Sequence, residues 1–583
     1  MRVLRKVLVA NRGEIAVRIF RTCRDLGIGS VAVYSEADRA ALHVETADEA
    51  HLLGPPPAAE SYLRIDRIIE VAKASGADAI HPGYGFLSEN RAFAQAVIDA
   101  GLIWIGPPPS AMDQMGDKVA ARNTAIAAGV PVVAGTPEPV DTAGARAFAA
   151  EHGFPVAVKA VMGGGGKAFR VARSADELDE ALEGAAREAQ AYFGDAAVFC
   201  ERYVDRPRHV EAQVIADDHG TVAFLGERDC STQRRHQKLI EEAPSPAVTP
   251  EIRQRIGEAA VALAKAVGYR SAGTVEMLLG EDGTLSFLEM NTRLQVEHPV
   301  TELICGVDLV AEQLRVAAGE PLGYETLPLR GHAIECRINA EDPSAGFMPS
   351  PGSITGWQEP AGPWIRVDAG FGAGRTVPQT YDSLIAKLIV HGNDREQARR
   401  RMLRALAELR IEGIRTTIPF HRAFLGHPAF AEGRVYTRFV EDEFLAELPG
   451  LLEALPDAPA AASAPAVAVA AVERSMTVEV SGRRYDVTVL DRGGPRRFSP
   501  LERSTSSHAA DGAHAEVRAQ MQGTILKVLV EEGQEVSAGE LLCTLEAMKM
   551  ENHIVAPRDG KVAELAVSSG APVQTGALIA VIE

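Results

Sequence analysis

Cysteine is scarce in this 583-residue chain. The six present, Cys23, Cys200, Cys230, Cys305, Cys336 and Cys543, are scattered without a C-x-x-C pair, so neither a zinc site nor a disulfide framework is implied and a reducing, cytoplasmic setting fits. No apolar run is long enough to span a membrane. The basic start at Arg2, Arg5 and Lys6 leads into an apolar run that breaks at Asn11-Arg12-Gly13-Glu14, too soon for a signal peptide. Positive charge is also in deficit, with 60 Lys and Arg against 79 Asp and Glu and a net charge of −19. That balance disfavours nucleic acid and anionic membranes as partners, while leaving room for an anionic ligand held by a local cluster. Two phosphate fingerprints are missing as well. No G-x-G-x-x-G follows the first strand, and G-x-x-x-x-G-K-[ST] fails because Ala168 follows Lys167.

What is present divides the chain into three to five domains on a rule of roughly 100–200 residues each. Lys6–Ala10 reads as a buried strand, followed by an amphipathic helix through Ile15, Ile19 and Leu26. Further strands are expected at Ser30–Tyr34, Ala79–Ile80 and Leu102–Ile105, which together make a parallel α/β unit. His81-Pro82-Gly83-Tyr84-Gly85 is either a ligand loop or a structural turn. Pro155–Lys159 is a strand ending in lysine, with Gly163-Gly164-Gly165-Gly166-Lys167 just after it. Consecutive glycines allow backbone N–H groups to approach phosphate oxygens.

Two carboxylates lie on a predicted hairpin, Thr274–Leu278 and Ser286–Asn291, around Gly280-Glu281-Asp282-Gly283. Pairing brings Glu276, Glu289 and Asn291 together, and hard oxygen ligands of this kind suit Mg²⁺ or Mn²⁺. Asn291-Thr292-Arg293-Leu294-Gln295-Val296-Glu297-His298-Pro299 then places several polar groups directly after a buried strand.

Near the C-terminus an internal repeat aligns 523–546 with 560–583: Gly523 on Gly560, Val530 on Val567, Gly533 on Gly570, Gly539 on Gly576 and Glu546 on Glu583. Each half alternates apolar and polar residues, so the two must pack on each other as one small β-sandwich. Lys549 lies in the turn between them, flanked by Met548 and Met550 where polar residues are the norm. Upstream, 454–471 is an Ala/Pro/Val linker. A hairpin is expected over Met476–Val480 and Tyr485–Val489, and a second mobile stretch runs from Asp491 to about Glu516.

Ala547-Met548-Lys549-Met550 resembles, residue for residue, the signature of the biotinyl domain of biotin-dependent carboxylases. Arg234-Arg235-His236-Gln237-Lys238, the Gly-rich loop and the 291–299 stretch resemble the biotin carboxylase family of ATP-grasp enzymes, over residues 1 to about 445. The implied fold is α/β and α+β: a Rossmann-like α/β domain (1–115), an ATP-grasp domain (116–330, lid about 131–204) and a biotin carboxylase C-terminal domain (331–446). A linker with the hairpin (447–516) and an all-β biotinyl/lipoyl-like sandwich (517–583) complete it.

By position, the resemblance assigns ATP to Lys118, Lys159, Gly163, Gly164, Gly165, Gly166, Glu201, His209, Gln233, His236, Glu276 and Glu289. The metal falls to Glu276, Glu289 and Asn291, and bicarbonate to Arg293, Gln295 and the Val296 backbone. Glu297 is the implied base, Lys238 holds phosphate or carboxyphosphate, Arg337 stabilises the biotin enolate, and Lys549 carries biotin.

The implied function is that of an acyl-CoA carboxylase α subunit in a hetero-oligomer. Its expected partners are a carboxyltransferase β subunit, which binds the acyl-CoA, and a biotin protein ligase. The family has Gly where this chain has Ala168; if that position requires φ > 0, Ala168 is strained by roughly 1 kcal/mol. Two alternatives stay open. One is a different ATP-grasp ligase, which leaves the Met548-Lys549-Met550 turn unexplained, and the other is a carrier whose ATP-grasp unit is inactive.

Overall fold

The computed structural model describes residues 3–161, 168–455, 472–480, 483–491, 515–519, 523–547, 550–574 and 576–583. They form two units, Met1–Pro351 with Trp357–Leu455, and Gly352–Gly356 with Pro456–Glu583. Gly163 to Lys167, Met548 and Lys549 lie outside the described residues.

The first unit starts with a five-stranded parallel sheet, in spatial order Glu49–Gly54, Gly29–Ser35, Lys6–Val9, Ala79–His81 and Ile103–Trp104. Its central strand is buried on both faces, which explains the run Val7-Leu8-Val9 without alternation. The edge strand Glu49–Gly54 had no apolar signature to announce it; its residues are mostly half-buried. The helix Gly13–Asp25 buries Ile15, Ile19 and Phe20, but Leu26, expected on the same face, is its C-terminal cap and is 46% exposed. His81–Gly85 is a turn held from inside, with Gly83 N donating to His81 Nδ1 at 3.0 Å and Asn11 Nδ2 donating to the carbonyls of Pro82 and Tyr84 at 2.8 and 2.7 Å.

An eight-stranded antiparallel sheet carries most of the site. Its order is Leu285–Asn291, Ser271–Leu279, Arg208–Ala216, Val222–Arg234, Gln237–Ala243, His332–Asn339, Leu384–Gly392, Ile365–Ala369. This sheet runs across the boundary expected at 330/331, because Gln237–Ala243 pairs with His332–Asn339, with Glu241 opposite Glu335. The physical reason is that a buried strand must satisfy the amides and carbonyls of both its edges.

The other C-terminal boundary, expected at 446, falls inside the helix Leu445–Ala454, whose Leu448 is buried. Residues of the lid expected at about 131–204 form their own layer. The strands Phe169–Ala172, Val156–Ala160 and Val198–Arg202 pair under the helices Thr142–His152 and Ala175–Phe193, around a separate core of Phe148, Val156, Val158, Leu178 and Cys200.

Ala168 does adopt a left-handed conformation, at φ 53°. Strain of roughly 1 kcal/mol for a Cβ there is nearly offset by burial of its methyl against Ala160 and Ala189, worth about 0.8 kcal/mol. The substitution for glycine is therefore close to neutral on its own terms.

In the second unit the repeat halves build two four-stranded sheets, Ala515–Arg518, Leu578–Ile582, Gly560–Leu565, Glu535–Val536 and Met550–Val555, Leu541–Ala547, Gly523–Val528, Pro572–Val573. Each half lends one short strand to the sheet of the other. A Cβ at Gly523 would collide with the Glu546 carbonyl, and one at Gly560 with the Glu583 carbonyl. Gly533 and Gly570 have φ of 89° and 84°, Gly539 and Gly576 of 87° and 83°. The repeated glycines thus answer the same two demands twice, a close backbone approach and a left-handed turn. Leu541–Ala547 and Met550–Val555 pair with Ala547 opposite Met550.

The linker hairpin is also present and longer than the alternation indicated, Val472–Val480 against Arg483–Asp491, with Met476 opposite Val487. It has no third strand among the described residues.

Candidate active site

Alternation along the strands of the large sheet decides which side chains meet. In Arg208–Ala216 the polar residues His209, Glu211 and Gln213 recur every second position, and all three are buried on one face. Glu276 pairs with Glu211 on one side and with Glu289 on the other, and Thr274 pairs with Asn291. The hairpin thus places the expected metal ligands Glu276, Glu289 and Asn291 side by side.

These residues line one cleft of about 730 Å³. It also contains Lys118, Lys159, Glu201, His209, Gln233, His236, Lys238, Arg293, Gln295, Val296, Glu297 and Arg337. Every expected site residue of the cleft that lies among the described residues is therefore brought together. Tyr84, from the turn after His81, lines it too and donates to Glu14.

Lys238 is the centre of the charge arrangement. Its Nζ lies 2.6 Å from Glu211 Oε2, 3.0 Å from Glu276 Oε1 and 2.6 Å from Glu297 Oε1. Glu297 also accepts from Arg337 Nη2 at 2.8 Å, and Arg337 Nε donates to Glu241 at 2.6 Å. Burial pushes Glu297 up, but Lys238 and Arg337 outweigh it and hold the carboxyl down to about 2. On Glu241 burial acts in the same direction and prevails, so the carboxyl goes up to about 7 despite Arg337. His209 loses proton affinity through burial, yet Glu276, 3.1 Å away, lifts it to about 9.

Glu289 is raised by burial and by the like charge of Glu276, and it has no hydrogen-bond or ion-pair partner among the described residues. Asn291 Nδ2 is buried without a partner. Two opposed carboxylates, one of them without a partner among the described residues, are a fitting place for a divalent cation; the Asn291 oxygen joins them as a ligand only if Arg293, which donates to it at 2.6 Å, turns away.

On the nucleotide side, Lys159 Nζ meets Glu201 Oε2 at 2.5 Å, and Gln233 Nε2 bridges His209 Nδ1 at 3.1 Å and the Cys230 carbonyl at 2.8 Å. Lys118 begins the helix Lys118–Ala127, capped by Asp117 at the Ala120 amide, and burial lowers its pKa. Arg293 reaches Glu89 at 3.0 Å and Asn291 Oδ1 at 2.6 Å, while Gln295 Nε2 donates to Glu276 at 2.7 Å. Lys387 Nζ donates to the Val296 carbonyl at 2.8 Å.

Sequence reasoning missed the layer behind these groups. Arg228, wholly buried, donates to Glu211 (2.5 Å), Gln213 (2.6 Å), Thr301 (3.0 Å), Thr274 (3.1 Å) and Gln295 (2.7 Å). Glu211, Arg228 and Glu241 were visible only as charges among other polar residues of their strands, a signal that becomes pointed once those charges are known to be buried.

Comparison with known proteins agrees with this geometry. Four family profiles match: "Biotin carboxylase, N-terminal domain" over residues 3–112, "Carbamoyl-phosphate synthase L chain, ATP binding domain" over 117–325, "Biotin carboxylase C-terminal domain" over 335–442 and "Biotin-requiring enzyme" over 515–582. The biotin-dependent acyl-coenzyme A carboxylase alpha3 subunit of Mycobacterium leprae is 48% identical over 99% of this chain and 98% of its own. The mitochondrial methylcrotonoyl-CoA carboxylase subunit alpha of Mus musculus is 42% identical over 97% and 91%. Among solved structures, the biotin carboxylase of Campylobacter jejuni has a TM-score of 0.73 at 44% identity, covering 75% of this chain and 99% of that one. The biotin carboxylase domain of the Hydrogenobacter thermophilus 2-oxoglutarate carboxylase, in complex with MgADP and bicarbonate, has a TM-score of 0.73 at 46% identity over 78% and 100%. With a carboxylate-lined cleft and a biotinyl-type repeat in one polypeptide, the chain belongs to the family of biotin-dependent acyl-CoA carboxylase α subunits.

Proposed function

We propose that this chain uses ATP and bicarbonate to carboxylate biotin carried on Lys549, for transfer to an acyl-CoA by a separate carboxyltransferase β subunit. The observation that carries the reading is the triple contact of Lys238, which ties the metal-side carboxylate Glu276 to the base Glu297 in one cleft. Glu297 takes the proton of bicarbonate as its oxygen attacks the γ-phosphorus of ATP, and ADP leaves. Lys238 and Arg293 neutralise the charge that develops on the transferring group. An anion that takes over Lys238 and Arg337 also frees Glu297 from the two cations that depress it, so its proton affinity rises when a proton must be taken. Lys159, Glu201, Gln233 and His236 bind and orient the nucleotide, and Arg337 presents a fixed positive charge to the anionic acceptor.

Glu276, Glu289 and Asn291 would hold Mg²⁺ or Mn²⁺, which would supply positive charge to the phosphates, and biotin would supply the nitrogen that accepts the carboxyl group. The paired strands Leu541–Ala547 and Met550–Val555 leave Met548 and Lys549 to join them, and a biotin protein ligase attaches the group to Lys549. Lys549→Arg is expected to remove all avidin signal while bicarbonate-dependent ATP hydrolysis with free biotin survives. Avidin binding retained in the variant would overturn the assignment.

The hairpin Val472–Val480/Arg483–Asp491 leaves backbone groups on both outer edges without a strand partner among the described residues, which favours β-strand addition by the β subunit. Deleting residues 476–489 is expected to abolish co-purification with that subunit and leave ATP hydrolysis intact; retained association would count against docking.

A further inference from the structure

One turn of the cleft is built from residues that resist its geometry. Gln233 pairs with Lys238 and Arg234 with Gln237, so Arg235 and His236 form a two-residue hairpin loop. Both have positive φ, 48° and 63°. Loops with two successive left-handed residues strongly favour Asn-Gly, because a larger side chain costs about 1–2 kcal/mol at each position. Backbone strain of this kind persists where the surroundings over-determine it, and it concentrates at functional sites.

One short segment holds the backbone of this turn. Glu441 Oε1 accepts from the Arg235 amide at 2.5 Å. Glu441 sits in a π-helical turn, Val440–Phe444, a rare form found mostly at functional positions. That turn is anchored by aromatic packing, with Phe444 4.7 Å from Phe424 and 5.5 Å from Phe420, and Phe439 6.0 Å from Phe424. The same segment grips a third strained residue, Arg206, at φ 44°. The Arg206 guanidinium lies 5.1 Å over the Tyr436 ring and 3.6 Å from Glu443, and Thr437 N donates to the Pro207 carbonyl at 3.0 Å. Arg206 and Pro207 lie where the chain passes from the small layer's last strand, Val198–Arg202, into Arg208–Ala216.

We propose that Glu441 is a positioning residue of the nucleotide site. Through the Arg235 amide it holds the strained turn that aims His236 into the cleft, and the segment Tyr436–Glu443 fastens that turn to the lid connection at Arg206. The inference rests on the nucleotide role given to His236 above. Without Glu441 the turn relaxes toward conformations with negative φ, His236 swings away, and nucleotide binding weakens while the chemical groups around Glu297 stay in place.

The test measures bicarbonate-dependent ATP hydrolysis by the full chain. Glu441→Ala is expected to raise KM for ATP about tenfold with kcat within about twofold of the parent. Glu441→Gln, which keeps an acceptor oxygen, is expected to stay within about threefold in KM. Adding Arg235→Gly to Glu441→Ala is expected to restore most of the lost affinity, because glycine takes positive φ without steric cost. A merely structural role for Glu441 would not be rescued that way. An unchanged KM in Glu441→Ala, a loss confined to kcat, or no rescue by Arg235→Gly would overturn the proposal. His236→Ala separates it from the reading beneath. If that variant leaves KM for ATP unchanged, the nucleotide role of His236 falls and the positioning role with it. If it raises KM and Glu441→Ala does not, only Glu441 is excluded.

Discussion

Glu297→Gln is expected to lower bicarbonate-dependent ATP hydrolysis by roughly 10²–10⁴-fold, the usual worth of a positioned base. Glutamine keeps the shape but only one acceptor oxygen, so of Lys238 and Arg337, which bind different oxygens of Glu297 at 2.6 and 2.8 Å, one loses its acceptor there and keeps its other carboxylate partners, and the amide cannot take a proton. KM for ATP should move little, because Lys238 keeps Glu211 and Glu276 and the nucleotide groups lie on other strands. Any hydrolysis of ATP without bicarbonate is expected to be unchanged. The comparison to make is the two activities side by side: an equal fall in both would mean that Glu297 shapes the site rather than serving as the base for bicarbonate.

The second large effect concerns stability. Arg228→Met is expected to cost about 3–5 kcal/mol, the penalty for leaving one member of a buried ion pair without its partner. The change removes donors to five side chains at once, including the fully buried Glu211. Arg228→Lys should recover only part of it, since one ammonium cannot reproduce a planar fork.

The pH dependence has a definite sign. Burial raises the Glu211 carboxyl, but Lys238 and Arg228 together hold it well below its ordinary range. The stability it contributes is present above the unfolded carboxylate pKa and is lost as pH falls through the folded value. The gap between parent and Arg228→Met should therefore be widest near neutral pH and narrow below about pH 4, where Glu211 in the variant is protonated. Denaturant midpoints across pH read this directly; a gap independent of pH would show that packing, not charge, holds Arg228 in place.

Local patterns made some parts legible. The hairpin of Glu276 and Glu289 follows from alternation and a Gly-containing turn, because a period of two leaves one choice of face. The repeat around Lys549 was visible because its glycines satisfy the same backbone demand twice. Leu26 misled for the opposite reason: periodicity locates a face but not the residue at which a helix stops. The boundary expected near 446 lies within the helix Leu445–Ala454, whose interior Pro449 gives its sequence the look of a linker.

What the sequence alone determined is the inventory: which acids, bases and cations exist, which strands carry them, and that one polypeptide holds both a biotinyl-type repeat and a carboxylate-rich cleft. Only the tertiary structure decided that Gln237–Ala243 joins His332–Asn339 in one continuous sheet, so that Arg337 reaches Glu297 from a strand about a hundred residues away from Lys238. It also decided that Arg228, Glu211 and Glu241 stand behind the site. The reason is that strand pairing at long range, and the electrostatics it creates, depends on which edges find each other, and hydrogen bonding along a strand carries no label naming its partner.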